Sequence, residues 1–125
     1  MIENFKIALN FFQLMGVKIQ ESLTNESLCK LLVRESIRYR EYAEQVSGKL
    51  REDRDAIARV AEFFAGYLAA GKGSIGDSVY IPITLENLAK KLSVPKWHIG
   101  DRVRDVSIIT HANYKLVDFT TSYPF

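Results

Sequence analysis

The sequence is poor in residues that build disulfide frameworks and metal sites. Its 125 residues include one cysteine, Cys29, and two histidines, His98 and His111. One cysteine excludes an internal disulfide and a thiolate pair for zinc, which favours a reducing, cytoplasmic location. Neither histidine has an acidic residue at ligand spacing. We therefore expect no metal, no cofactor and no enzymatic activity.

Long apolar runs are also missing. The first twenty residues are apolar on balance, but charged and amide residues interrupt them, and no run reaches the roughly 18 residues that a membrane span needs. The apolar positions instead predict a helix from about Glu3 to Ser22, and we expect no membrane partner. Its apolar face is wide enough to favour a homodimer, or bracing of the rest of the chain.

Net charge is low as well. Seventeen lysines and arginines against fifteen acidic residues leave a formal charge of +2, which by itself does not predict nucleic-acid binding. A hydrophobic content of 47% with 26% charged residues is ordinary for a globular protein. A chain of this length forms one compact domain, or one domain with a helical extension.

The middle of the chain has a helical pattern. Thr24–Ser27 supplies N-cap residues, and apolar positions recur at helical spacing from Leu28 to Leu68. This pattern fits one long helix, or two helices separated by a break or bend near Gly48, which we favour because glycine destabilises a helix interior. The glycine-rich stretch Ala70–Asp77 predicts a loop.

The remaining third mixes short strands and short helices. Ser78–Thr84 is β-branched around a proline, which predicts a short or edge strand. Two short helical patterns follow, separated only by Leu92–Pro95. The β-branched runs Ser107–Thr110 and Tyr114–Thr120 flank His111–Asn113, where Asn113 favours a left-handed turn, so the pattern predicts a β-hairpin.

This order of elements, over residues 55 to 120, resembles the winged helix-turn-helix domain. Ala89 stands where two closely packed helices require a small side chain, and Pro95 suits the first turn of the second helix. Apolar residues fall at the inner positions of the motif: Leu88, Leu92, Val94, Ile99 and Val103. The resemblance implies a mainly α fold with a small β-hairpin, divided into an N-terminal helical extension, 1–54, and a winged helix-turn-helix domain, 55–125.

The resemblance implies a double-stranded DNA partner. In that family the second helix, here from about Pro95 to Val106, lies in the major groove, and the hairpin touches the neighbouring backbone. Between Lys90 and Arg104 there are five basic residues and one acid, Asp101. The DNA-binding residues implied are Lys90, Lys91, Lys96, Trp97, Arg102, Arg104 and Lys115. The expected role is that of a transcriptional regulator or a replication accessory factor.

Trp97 and Asp101 leave alternatives open. A large apolar side chain is unusual on a surface that faces phosphates, so we expect Trp97 to pack against the hairpin or the other half of the protein. An exposed Trp97 would instead indicate a protein interface. The alternatives are therefore a winged-helix protein-interaction module, or a small helical subunit of a larger nucleoprotein complex.

Overall fold

The computed structural model describes residues 24–118, which form a mainly helical fold with a small sheet. The elements in chain order are α1 (Asn25–Glu44), α2 (Gly48–Ala69), β1 (Ser74–Ile75), β2 (Val79–Tyr80), α3 (Leu85–Leu92), α4 (Lys96–Thr110) and β3 (Tyr114–Lys115). The helix predicted from Glu3 to Ser22 lies outside the described residues.

The two long helices form an antiparallel pair. A reciprocal capping box starts α1: the Thr24 hydroxyl accepts from the Ser27 amide, and the Ser27 hydroxyl accepts from the Thr24 amide. The break predicted near Gly48 is confirmed, because α1 ends at Glu44. Gly48 has a positive φ of 67° and begins α2, so the glycine opens the second helix and does not end the first.

The buried core is centred on α2, and α1, α4 and β3 also contribute residues to it. Leu28 and Leu32 of α1, Phe64 of α2 and Val103 of α4 belong to one buried apolar cluster. The Phe64 ring packs on the Tyr114 ring of β3, with centroids 4.9 Å apart. The boundary at residues 54 and 55 falls inside α2, so the described residues share one core across it.

The sheet pairs two strands that precede α3 and α4 in the chain with one strand that follows them. β1 and β2 are antiparallel, with Ser74 opposite Tyr80, whereas β2 and β3 are parallel, with Val79 opposite Tyr114. The short strand predicted around Pro82 is confirmed as β2, but it occupies the middle of the sheet. Pro82 lies beyond the strand, where its missing N–H interrupts no ladder bond.

The tight connection between α3 and α4 is confirmed. The Thr84 hydroxyl caps α3, and Ser93 ends it in the left-handed conformation, with φ 56° and ψ 41°. The Val94 amide then donates to the Ala89 carbonyl at 3.0 Å, which turns the chain sharply. The predicted inner positions are buried at Leu88, Ala89, Val94, Ile99 and Val103, and Leu92 is partly buried against the core.

The hairpin predicted for Ser107–Thr120 is wrong. α4 continues to Thr110 because Val103, Val106, Ser107 and Thr110 form one buried helical face, and burial outweighs the β-propensity of this run. His111, not Asn113, adopts the left-handed conformation that ends the helix. Only the second run forms a strand, and it pairs with β2. The antiparallel hairpin in the described residues is β1–β2, which precedes the helix pair.

Ser93 offers a direct test of the turn. A residue with a Cβ atom is strained in the left-handed region, so Ser93→Gly should raise the free energy of unfolding by about 1 kcal/mol. Ser93→Val should lower it by a similar amount, because branching at Cβ increases the clash. Urea denaturation of both variants measures the difference. Equal stabilities would show that the left-handed turn does not form.

Candidate nucleic-acid interface

The exposed face of α4 is the centre of the candidate interface. Pro95 fixes the entry to the helix, and its carbonyl accepts from the amides of His98 and Ile99 at 2.9 and 3.1 Å. Because Ile99 and Val103 point into the core, the opposite face carries Trp97, Gly100, Asp101 and Arg104. This outward face is the one that the winged-helix resemblance implies for base contacts.

Trp97 projects into solvent. Its exposed fraction is 78%, and its ring has an edge-on contact with the His98 ring, with centroids 6.0 Å apart. The expectation that Trp97 packs against the hairpin or the other half of the protein is therefore wrong. The first turn of α4 has no large core position to fill at this point, since Val94 and Ile99 already occupy the inner face.

Arg102 points toward α2 and not toward the solvent. Its side chain is 14% exposed, with Nη1 2.8 Å from Asp53 Oδ1 and Nε 3.0 Å from Asp105 Oδ2. This carboxylate clamp, formed by Arg102, Asp53 and Asp105, ties α4 to α2. Arg102 is committed to that contact, so we remove it from the expected phosphate-binding residues.

The other two basic residues of α4 also lie beside carboxylates. Arg104 Nη1 is 3.6 Å from Asp101 Oδ1, one turn away on the same helix. Lys96 Nζ is 3.3 Å from Glu86 Oε1, which joins the beginnings of α4 and α3. The positive charge expected along this helix is therefore balanced locally by acidic side chains. Both pairs are largely exposed to water, where such ion pairs are weak and exchange with other partners.

The lysines outside α4 occupy two places. Lys90 and Lys91 end α3, are exposed, and form no ion pair within residues 24–118. Lys115 is exposed on β3, which follows the C-terminal end of α4, whereas Lys96 begins that helix. Fifteen helical residues span about 20 Å, so α4 separates Lys96 from the strand that carries Lys115. The structure thus groups Lys90, Lys91, Lys96 and Trp97 around the helix pair.

A cavity of about 600 Å³ adjoins Trp97. It lies between the first half of α2 and the N-terminal turn of α4, and both basic and acidic side chains line it, including Lys49, Glu52, Arg59 and His98. Arg59 donates to the Leu92 carbonyl at the end of α3 and thereby holds the turn against α2. The mixed lining has no single charge sign that would select an anion or a cation.

The acidic partners of Lys96 and Arg102 differ in how far the sequence predicts them. Asp105 stands three residues after Arg102, a spacing that predicts an ion pair on one helix face. Asp53 and Glu86 are brought in only by the packing of α2 and α3 on α4. Counting charges between Lys90 and Arg104 therefore overstated the positive charge of the interface.

Metal binding, membrane insertion and similarity to known proteins bear on the class of function. Among residues 24–118, no group of three or more histidine, cysteine or acidic side chains is arranged to hold a metal ion. No helix in that range has both the length and the apolar character needed to cross a membrane. Comparisons with family models, curated proteins and solved structures find no match to this chain.

The carboxylate clamp predicts unequal roles for its two acids. Asp53→Asn should lower the free energy of unfolding by about 2 kcal/mol at neutral pH, because it removes the closest partner of a guanidinium that is only 14% exposed. Burial raises the pKa of the Asp105 carboxyl, and Arg102 partly opposes this rise. Ionised Asp105 is therefore disfavoured by folding, and Asp105→Asn should cost less than Asp53→Asn.

The pH dependence of the free energy of unfolding provides a control for the comparison of Asp53→Asn with Asp105→Asn. A carboxyl whose pKa is raised in the folded state contributes stability below its unfolded pKa, and that contribution is lost as pH rises through the folded pKa. The stability of Asp105→Asn relative to the unaltered protein should therefore improve between about pH 4 and pH 7. Thermal or urea unfolding at several pH values measures it. A larger loss from Asp105→Asn than from Asp53→Asn would contradict the assignment.

Proposed function

We propose that this chain is an intracellular, double-stranded DNA-binding protein, acting as a transcriptional regulator or a replication accessory factor. The helix pair is the observation that carries the proposal. The left-handed Ser93 connects α3 to α4, and α4 exposes Trp97 and Asp101 while its inner face is buried. A second helix that follows a tight turn and keeps one face exposed resembles a recognition helix, whose N-terminal residues contact base edges. Within residues 24–118 no antiparallel hairpin follows α4, and β3 pairs parallel with β2, so the support comes from the helix pair and not from the sheet.

The lysines divide into two roles under this proposal. Lys90 and Lys91 end α3, so they reach the flanking phosphates and contribute affinity without sequence preference. Lys96 stands in the first turn of α4, where a side chain enters the groove. Its ion pair with Glu86 is exposed on both sides, so phosphate or guanine oxygens replace the Glu86 carboxylate at little cost.

Lysine substitutions test this division of roles. Binding of the unaltered protein to duplex DNA should weaken steeply with ionic strength, with a log-log slope of about −0.9 for each phosphate neutralised. The Lys90→Ala/Lys91→Ala double variant should reduce that slope by about two units and weaken all sequences similarly. Lys96→Ala should cost about 1 to 3 kcal/mol on the best site and relax the preference at one position.

Selection from a randomised duplex pool with each variant measures both effects. Lys30, which is exposed on α1 and pairs there with Glu26, provides the matched control. Lys30→Ala should leave the salt slope and the selected sequence unchanged. Identical, sequence-independent losses from Lys90→Ala and Lys96→Ala would mean that α4 does not read bases.

Dimerisation belongs to the same proposal. The apolar segment from Glu3 to Ser22 precedes α1, and a second copy of this chain provides an apolar partner for it. A dimer would place two copies of α4 on half-sites related by a two-fold axis. Sedimentation equilibrium of the full chain should therefore report a dimer, and removal of residues 1–22 should yield a monomer. A strict monomer at high concentration would eliminate the dimer but not duplex binding.

A protein-interaction module is the second candidate, favoured by a separate observation. Three of the five basic residues between Lys90 and Arg104 lie beside carboxylates, while Trp97 is exposed. Exposed tryptophan is a frequent anchor of protein interfaces. The salt titration separates the two candidates, because a protein-interaction module would not bind duplex DNA even at low ionic strength.

A further inference from the structure

Trp97 has no structural role that explains its position. It is the one tryptophan of the chain, its side chain is 78% exposed, and it stands in the first turn of α4. Leaving so large an apolar surface in water forgoes the stabilisation that burial would give. The ring therefore has its largest effect in a complex, where a ligand covers it.

The surroundings of Trp97 restrict what that ligand offers. Among its neighbours along the helix, Lys96 pairs with Glu86, Asp101 pairs with Arg104, and the His98 ring lies edge-on to the indole. Gly100 stands three residues later on the same side of α4, where it adds no side chain to cover the indole. A glycine at such a place lets a ligand approach the helix backbone closely. The indole of Trp97 is therefore the large apolar group that this turn exposes.

The major groove of DNA offers one apolar group, the C5-methyl of thymine. Indole has a single N–H donor and no acceptor, so it cannot make the paired hydrogen bonds that distinguish guanine or adenine. Lys90 and Lys91 end α3 just before the turn into α4, and Lys96 directly precedes Trp97, so this part of the chain suits DNA more than an uncharged apolar partner.

We propose that Trp97 is a specificity-determining residue that selects thymine at one position of the DNA site by covering its C5-methyl group. The inference rests on the proposed DNA-binding function and deepens it, because it assigns the base that the first turn of α4 reads. Lys96 supplies attraction to the DNA at the same turn, whereas Trp97 supplies the preference for thymine.

Removal of single methyl groups from the DNA tests this assignment. The full chain is first used to select its best site from a randomised duplex pool. Each thymine of that site is then replaced in turn by uracil, which differs only in lacking the methyl group. Loss of one buried methyl corresponds to about a fourfold loss of affinity, and we expect this loss at one thymine only.

Variants of the protein tie that loss to Trp97. Trp97→Ala should bind the thymine and uracil forms equally, because no ring remains to cover the methyl. Trp97→Phe keeps an apolar ring without the indole N–H, so it should retain the thymine preference. Ile108→Ala provides the matched control, since Ile108 is also exposed, at 43%, but lies about three turns further along α4. It should retain the full fourfold difference.

The outcomes separate this inference from the function on which it rests. If the unaltered protein binds the selected duplex but tolerates uracil at every position, the thymine assignment is overturned and the DNA-binding function stands. The same holds if Trp97→Ala keeps the thymine preference, or if Trp97→Phe loses it, which would place the indole N–H on a phosphate. If no duplex is bound at low salt, the proposed function itself is overturned.

Discussion

The left-handed conformation of Ser93 is the constraint on which the candidate interface depends. It ends α3, lets the Val94 amide donate to the Ala89 carbonyl, and sets the direction in which α4 leaves the turn. Only with that direction do Ile99 and Val103 enter the core while the opposite face of α4 stays in solvent. The Arg59 side chain reinforces the same turn through the Leu92 carbonyl. The geometry at one residue thus determines which side chains α4 exposes.

Acidic side chains balance much of the positive charge at the candidate interface. The carboxylate clamp draws Arg102 inward, and exposed acidic partners accompany Lys96 and Arg104. Among the described residues, positive charge without a nearby carboxylate therefore remains at the end of α3, in Lys90 and Lys91, whereas Glu86 balances the charge of Lys96 in the first turn of α4. On the proposed function, such a surface would hold the DNA backbone weakly and discriminate among sites through shape and apolar contact.

The extent to which the sequence predicted this structure follows from the range of the interactions involved. The break near Gly48, the tight turn at Ser93 and the buried positions of the helix pair depend on local periodicity and capping, which the sequence carries directly. The end of α4 depended on tertiary burial of Val106, Ser107 and Thr110, so local β-propensity misled there. The exposure of Trp97 and the Asp53–Arg102 ion pair arise from contacts between distant segments, which no spacing rule reveals.

The parallel pairing of β2 with β3 joins two segments that are far apart in the chain. Both helices and their turn lie between Val79 and Tyr114 in the chain, so the sheet closes only after that whole segment has been gathered. The contacts of α1 with α2 join neighbouring segments and have a much lower entropic cost of closure. We therefore expect the long helical hairpin to form before β3 joins the sheet. Partly folded chains would then contain α1 and α2 before the sheet closes around α3 and α4.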